Sequence, residues 1–391
     1  MSVDPELAKF IEKVNKRYKA PDNSPIIFSA ESSPILQIPR LRTGVFSLDL
    51  GLGGGFPQGR IVRVYGPPSG GKSLLCLRMV QENQGKCRNC WKAFSEVKKS
   101  KCCSKPRRFR TLWLDVEGVW ENNWALKHGV DLDQVIVSRT EFAEQGLDIV
   151  HSCLLERAVD LVVIDSLAQL STTKELDSSQ EDTKVALNAR AVNEFLRKCV
   201  ADLNSQKIAH KSTVILINQI RYSVGAYGDP ETMPGGMGQE FASSVDVRLQ
   251  RYRVVTDKGK LTGPAADNST QGVPVGAMTN FRITKNKTSP PHRSGEYCIW
   301  FSDDENSGRK VGDVDCSDAL FEYGVRCGVL SKEGRSYVFT DLEGTLYTLD
   351  TKKDAVKRQI FEDDRLYKSL QEAVLNKLTG SVSSDSDARV L

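Results

Sequence analysis

Apolar residues arrive in short blocks along this chain, and their spacing changes with position. Leu7, Phe10, Ile11, Val14 and Tyr18 fall on one face of a helix that opens with Asp4 and Pro5, a cap residue and a residue suited to the first helical position. That stripe must be covered, either by the chain's own domain or by a neighbouring subunit, and the pattern leaves both open. APDNSPIIFSAESSPILQIPR then reads as a linker. From about residue 40 to 290 the blocks RIVRVYG, TLWLDVEG, LVVIDS, TVILINQ, VDVRLQRY and TNFRITKNK alternate with helical stretches such as LLCLRMVQ. Short, nearly continuous apolar strands between helices predict a mainly parallel central sheet covered on both faces. After residue 301 the grain is finer, with small strands (RSYVFTD, TLYTLD) and a helix carrying Tyr367, Leu370, Val374 and Leu378.

The predicted fold class is therefore α/β, divided into an N-terminal helix and linker (1–39), a large core (40–301), a small C-terminal α/β domain (302–379) and a disordered tail (380–391). No apolar run suggests a membrane span, and MSVDPELAKFIEKVNKRYK lacks the apolar centre of a signal peptide. This reading places the protein inside the cell and its ten cysteines in a reducing compartment. Cys76, Cys153, Cys199, Cys298, Cys316 and Cys327 are scattered and read as buried thiols. Cys87, Cys90, Cys102 and Cys103 cluster in residues 86–110, where ten Lys or Arg meet one acid, Glu96. That segment's net charge of about +9 exceeds the +4 of the whole chain, so the positive charge is local.

The strand RIVRVY, the run Gly66-Pro67-Pro68-Ser69-Gly70-Gly71-Lys72-Ser73 and the following helix have the spacing and context of a phosphate-binding loop. Backbone N–H groups there curl around phosphate oxygens, Lys72 reaches the β/γ-phosphates and Ser73 holds Mg²⁺. Asp165 and Glu117 close two further strands at the edge where ligands bind in open α/β sheets. Asp165 is placed to hold Mg²⁺ and Glu117 to orient an attacking water, with Asp115 as a supporting acid. Gln219, ending TVILINQ, should face the γ-phosphate, and the flexible RYSVGAYGDPETMPGGMG after it would then answer to nucleotide state.

TGVFSLDLGLGGGFPQGRIVRVYGPPSGGKS, LWLDVEG, HGVDLDQVIVS, VVIDSLAQL, NQIR, PETMPGGMGQEFASSVDVRL and ITKNK resemble, in order, the motifs of the RecA recombinase family over roughly residues 40–330. The resemblance implies a RecA-type P-loop ATPase core that uses ATP and Mg²⁺, forms helical filaments on single-stranded DNA, and exchanges strands with duplex DNA. By it, the loop from Arg221 to Gly238 grips single-stranded DNA, with Gly235 and Gly236 on phosphates, Arg221 adding charge and Tyr227 as a wedge between bases. It also implies that Trp124 stacks on adenine with Glu121 beside the base. Lys285 and Lys287 would reach the ATP of the adjacent subunit and neutralise transition-state charge, and the N-terminal helix would pack on a neighbouring core.

The helix VALNARAVNEFLRKCVADL predicts a buried stripe of Val185, Ala189, Val192, Phe195 or Leu196 and Val200, leaving Arg190, Asn193 and Arg197 on an exposed face. The resemblance makes that face a DNA-backbone contact. Residues 172–184, acidic and without glycine, depart from the family's first DNA loop, and no role is carried onto them.

The basic cysteine segment also has no counterpart in the resemblance. Its four thiols can hold a structural Zn²⁺, or the segment is a flexible basic arm with incidental thiols. Either way it suits a polyanion, with Lys98, Lys99, Lys101, Arg107 and Arg108 as duplex contacts, and Trp91, Phe94 and Phe109 stacking on bases or filling a small core.

The sequence reading is thus an ATP-dependent DNA recombinase that self-assembles, located in the cytoplasm, on the nucleoid, or in the host cytoplasm if viral. The alternative is a RecA-fold DNA motor, a helicase or branch-migration ATPase.

Overall fold

The structure, a computed structural model, describes residues 4–18, 27–30, 38–94, 97, 106–140, 142–170, 181–205, 211–222, 231–234, 236, 238–257, 261–262, 272–303 and 309–380. Helix α1 (Pro5–Arg17) starts where the sequence predicts, with the Asp4 carboxylate accepting from the Glu6 N–H. No residue of α1 is buried, and Phe10 is 59% exposed. Its link to the chain that follows is polar, since Asn15 Nδ2 donates to the Ile27 carbonyl at 2.8 Å and Asn15 Oδ1 accepts from the Ile27 N–H at 3.1 Å.

The core begins with the short pair β1 (Arg40–Leu41) and β2 (Phe56–Pro57), which flank the fully buried helix α2 (Phe46–Leu52). The strands and helices that position the site follow in order: β3 (Ile61–Gly66), α3 (Lys72–Gln84), β4 (Thr111–Asp115), α4 (Asn122–Lys127), β5 (Val135–Ser138), α5 (Ala143–Leu155), β6 (Leu161–Asp165), α6 (Glu181–Ser205) and β7 (Thr213–Gln219). Next come the two-residue strands β8 (Arg221–Tyr222) and β9 (Glu231–Thr232), helix α7 (Gly238–Ala242), β10 (Val245–Thr256), β11 (Leu261–Thr262), β12 (Pro274–Asn286), β13 (Ser294–Trp300) and β14 (Val314–Asp315).

One sheet, ordered β14-β13-β12-β10-β3-β7-β6-β4-β5, carries the core. From β10 to β5 every neighbouring pair is parallel, and β12, β13 and β14 extend the sheet antiparallel. Strands β3, β4 and β6 are buried along their whole length, which is why they read as nearly continuous apolar runs, β3 being interrupted by Arg63. The sheet continues past residue 301 through β14, which pairs with β13.

The C-terminal elements are α8 (Ser317–Arg326), a three-stranded antiparallel sheet of β15 (Leu330–Glu333), β16 (Ser336–Thr340) and β17 (Leu346–Thr348), and helices α9 (Lys353–Glu362) and α10 (Asp364–Gly380). Their apolar residues join the core cluster, with Tyr323 of α8 edge-on to Phe46 of α2 at 6.5 Å between centroids. Among the described residues no helix is long and apolar enough to cross a membrane. The tail expected from 380 lies outside the described residues, apart from Gly380 at the end of α10.

Two readings of side-chain placement are corrected. On α6 the buried stripe runs through Val192, Phe195, Leu196, Cys199 and Leu203, while Val200 is 38% exposed. The helix turns a little further than the predicted phase, and Cys199 takes the inward position. In the basic segment, half-buried Arg107 is engaged with the chain's own backbone, while Arg108 stays exposed in a surface ion pair. Arg107 donates to the Arg157 carbonyl at 3.2 Å and to the Ala158 carbonyl at 2.5 Å, and Arg108 pairs with Asp131 at 2.7 Å. Arg88 is buried in an ion pair with Asp160. Phe109 is fully buried and meets Trp91 edge-on at 5.9 Å, so these two rings fill a core. Lys98, Lys99 and Lys101 lie outside the described residues.

Candidate nucleotide-binding site

Strand β3 delivers the chain to the P-loop at Gly66, where φ is 153° and a Cβ would come within 2.0 Å of the Leu249 carbonyl oxygen, so only glycine fits. Gly71, at φ 87°, caps α3 and turns Lys72 and Ser73 into its first turn. Lys72 Nζ donates to the carbonyls of Gly66 and Pro67 at 3.2 and 2.8 Å. Burial pushes the Lys72 pKa down, against the opposing charges of Asp165 and Glu117. Ser73 Oγ donates to Asp165 Oδ2 at 2.7 Å. Burial raises Asp165 to about 6; the Ser73 hydrogen bond opposes that rise, and the nearby carboxylates of Glu117 and Asp115 add to it.

Parallel pairing sets the C-terminal ends of β4, β6 and β7 side by side. Glu117, just beyond β4, accepts at Oε1 from Ser166 Oγ at 2.6 Å and from Gln219 Nε2 at 2.9 Å. A cavity of about 530 Å³ opens here, and its lining includes Lys72, Ser73, Glu117, Asp165, Gln219 and Trp124. Ser69, Gly70, Gly71 and Glu121 line it as well. The volume suits a nucleotide, and Ser73 with Asp165 offers the hard oxygen donors that Mg²⁺ takes. Glu121 also caps α4, accepting from the N–H groups of Asn123 and Trp124 at 2.9 and 2.6 Å, and these bonds hold it below the usual carboxylate range.

Asp115 is corrected from a supporting acid to a scaffold group. Its carboxylate accepts from the Val119 and Trp120 N–H groups at 3.0 Å and pairs with Arg139 at 2.8 Å. It braces the turn that carries Trp120 to the cavity wall. The sequence reading missed Ser166, which steadies Glu117, and Arg251, Thr279 and Phe301, which line the cavity from β10, β12 and the end of β13. These three come from the antiparallel part of the sheet, and no local motif announces them.

Past Gln219 the chain forms a two-stranded stem, with Arg221 opposite Thr232 and Tyr222 opposite Glu231. Tyr227 and Gly235 lie outside the described residues, and the structure describes only the backbone of Arg221. Gly236 is exposed at φ 73°. A second group missed from sequence holds the loop's far end: buried Asn218 Nδ2 donates to the Pro234 carbonyl at 2.9 Å and to Gln239 Oε1 at 2.8 Å. Gln239 in turn donates to the carbonyls of Pro234 and Gly236. Arg190, Asn193 and Arg197 of α6 line a shallow cavity of about 830 Å³ beside Gly238 and exposed Phe241 of α7. The two predicted DNA-contact regions are therefore neighbours.

Lys285 and Lys287 stand at the end of β12, away from this chain's own nucleotide cavity. Each donates to a carbonyl of α7, Lys285 to that of Glu240 and Lys287 to that of Phe241. Of the four clustered thiols, Cys87 is buried and Cys90 half-buried, while Cys102 and Cys103 lie outside the described residues. Burial pushes the Cys87 thiol up, but the backbone N–H groups of Arg107, Asn89 and Cys90 outweigh it and hold its pKa below the usual thiol value. Among the described residues no group of three or more His, Cys, Asp or Glu is arranged to hold a metal.

Residues 6–305 match the family model of the RecA N-terminal domain. The chain is 31% identical over 312 residues to Protein RecA of Cereibacter sphaeroides, covering 79% of this chain and 77% of that protein. It is 32% identical over 357 residues to Protein RecA of Campylobacter hominis, covering 90% and 87%. With Protein RecA of Wolinella succinogenes it shares 29% identity over 384 residues, covering 97% and 95%.

Proposed function

The chain belongs to the RecA family, and from that premise we propose that it is an ATP-dependent DNA recombinase acting in recombination and repair. It assembles as a helical filament on single-stranded DNA and pairs that strand with homologous duplex DNA. The observation that carries this reading is the meeting of Lys72, Ser73, Asp165, Glu117 and Gln219 at one cavity, with Gln219 leading directly into the stem of the candidate DNA loop. Binding of ATP shifts the protein toward the DNA-gripping state, and hydrolysis releases it.

Lys72 holds the phosphates, Trp124 supplies an aromatic wall for the base, and Glu117 orients the attacking water. Mg²⁺, held by Ser73 and Asp165, supplies charge neutralisation at the phosphates. Gln219 senses the γ-phosphate, and Lys285 and Lys287 serve the site of an adjacent subunit. Arg190, Asn193, Arg197, Arg221, Tyr227, Gly235 and Gly236 form the DNA surface. The cysteine segment keeps both its readings, a structural Zn²⁺ on Cys87, Cys90, Cys102 and Cys103 or a basic arm with incidental thiols. The cytoplasm, where the chromosome or a viral genome is accessible, is the proposed location.

Electron microscopy on long single-stranded DNA, with a non-hydrolysable ATP analogue against ADP, tests the reading together with a strand-exchange assay. Extended filaments that require the analogue, with exchange of homologous strands, are the expected result. Closed rings and translocation without exchange would refute it in favour of a motor.

A further inference from the structure

Strand β10 runs alongside β3 only from Val245 to Arg248, whose partners are Val62 to Tyr65, and then continues past the end of β3 paired with β12. At Leu249 it touches the P-loop: a Cβ on Gly66 would lie 2.0 Å, and one on Gly70 3.3 Å, from the Leu249 carbonyl oxygen. Strand alternation then returns Arg251 to the face that Leu249 occupies, with exposed Gln250 between them on the other side. Arg251 pairs in register with Thr279, and both line the nucleotide cavity. The register stays regular through this point, the nearest irregularity lying beyond Arg251.

Arg251 is half-buried, and among the described residues it has no hydrogen-bond or ion-pair partner. An arginine partly withdrawn from water without a counter-charge is unfavourable unless a ligand supplies one. Arg63, by contrast, sits on β3 in a buried pair with Asp246 of β10 at 2.7 Å. The acids of the cavity, Glu117, Asp165 and Glu121, are engaged elsewhere, with Ser166 and Gln219, with Ser73, and with the N–H groups of Asn123 and Trp124.

We propose that Arg251 is a nucleotide-binding residue whose guanidinium contacts the diphosphate part of a nucleoside di- or triphosphate in its own chain's site. The inference rests on the cavity being the ATP site. Lys72, at the start of α3, reaches the terminal phosphates as a point charge; Arg251, on the strand that touches the P-loop at Leu249, adds a planar fork suited to two oxygens of one phosphate. Its contact exists with ADP as with ATP, so it strengthens ground-state binding, which sets it apart from a group acting only on the transition state.

The test is calorimetric binding of ADP, ATP and adenosine to the full-length chain, as wild type and as Arg251→Ala, Arg251→Gln, Arg251→Lys and Lys72→Ala. A charged hydrogen bond of the usual strength corresponds to a loss of roughly 10- to 100-fold. Arg251→Ala and Arg251→Gln should therefore weaken ADP and ATP by that factor alike, leave adenosine within about twofold, and keep the nucleotide-free melting temperature, while Arg251→Lys recovers part of the loss. Equal binding by Arg251→Gln and wild type, with Lys72→Ala impaired, would overturn the proposal and leave the nucleotide site standing. Failure of wild type to bind ADP or ATP, or binding by Lys72→Ala equal to wild type, would overturn the nucleotide site itself.

Discussion

Replacing Arg88 with Met tests whether the basic segment is anchored or free. Arg88 and Asp160 are only 5% and 6% exposed, and the guanidinium also donates to the Arg157 carbonyl at 3.1 Å. Removing the arginine leaves Asp160 with the Arg110 N–H at 2.9 Å and the more distant charges of Arg107 and Arg110. Breaking a buried pair from one side costs about 3–5 kcal/mol, and the remaining donors put this case near 3. At roughly 2 °C per kcal/mol for a chain of this size, the melting temperature should fall by about 6 °C. The double variant Arg88→Met/Asp160→Leu removes both charges and should recover most of the loss.

The penalty also depends on pH. Burial holds the Asp160 pKa above its ordinary value in the folded chain, against the pull of Arg88. An acid with a raised folded pKa contributes stability at low pH that is lost as pH rises from the unfolded value through the folded one. Without Arg88 that folded pKa climbs further, so the penalty should be greatest near pH 7–8 and shrink as pH falls toward the ordinary carboxylate range. Thermal unfolding by circular dichroism at several pH values reads both effects. A melting temperature unchanged at neutral pH would refute the anchor, and weakened duplex binding by the same variant would add Arg88 to the basic residues that face DNA.

Glu117→Gln keeps the shape of the side chain and removes the carboxylate proposed to orient water, so single-turnover ATP hydrolysis should fall by about 10²–10⁴-fold with ADP affinity retained; hydrolysis within threefold of wild type would remove Glu117 from the chemistry. Asp49 is buried and accepts from the N–H and Oγ of Thr43, both at 2.8 Å, and burial raises its pKa to about 6. Its ionisation costs the folded wild type about 3 kcal/mol as pH rises from the ordinary carboxylate value through 6. The melting temperature of Asp49→Asn relative to wild type should therefore climb from about pH 4 to just above pH 6 and then level off, and a difference that stays flat would contradict the shift.

Much of the parallel core was legible because its strands are buried on both faces and its phosphate loop must combine glycines, Lys72 and Ser73 at fixed spacing. The ends of β4, β6 and β7 followed, since an acid or amide closing an apolar strand marks the ligand edge. What escaped depended on partners remote in sequence. Arg88 and Arg107 look like solvent-facing charge until Asp160 and the carbonyls of Arg157 and Ala158 are placed beside them. Asp115 reads as catalytic until Arg139 and the turn at Val119 claim both its oxygens. On α6, helical phase alone could not choose between Cys199 and Val200, because adjacent residues differ by one step around the helix and packing against the sheet makes the choice.

In isolation the two oxygens of a carboxylate are interchangeable, and at Glu117 the fold removes that symmetry. Oε1 already receives two donors, one from the end of β6 and one from the end of β7, which fills the two acceptor directions of an sp² oxygen. Oε2 receives neither of these donors, so in the proposed hydrolysis it is the oxygen that orients water. One half of the group is thus held by the scaffold, and the other is left for whatever enters the cavity that Glu117 lines.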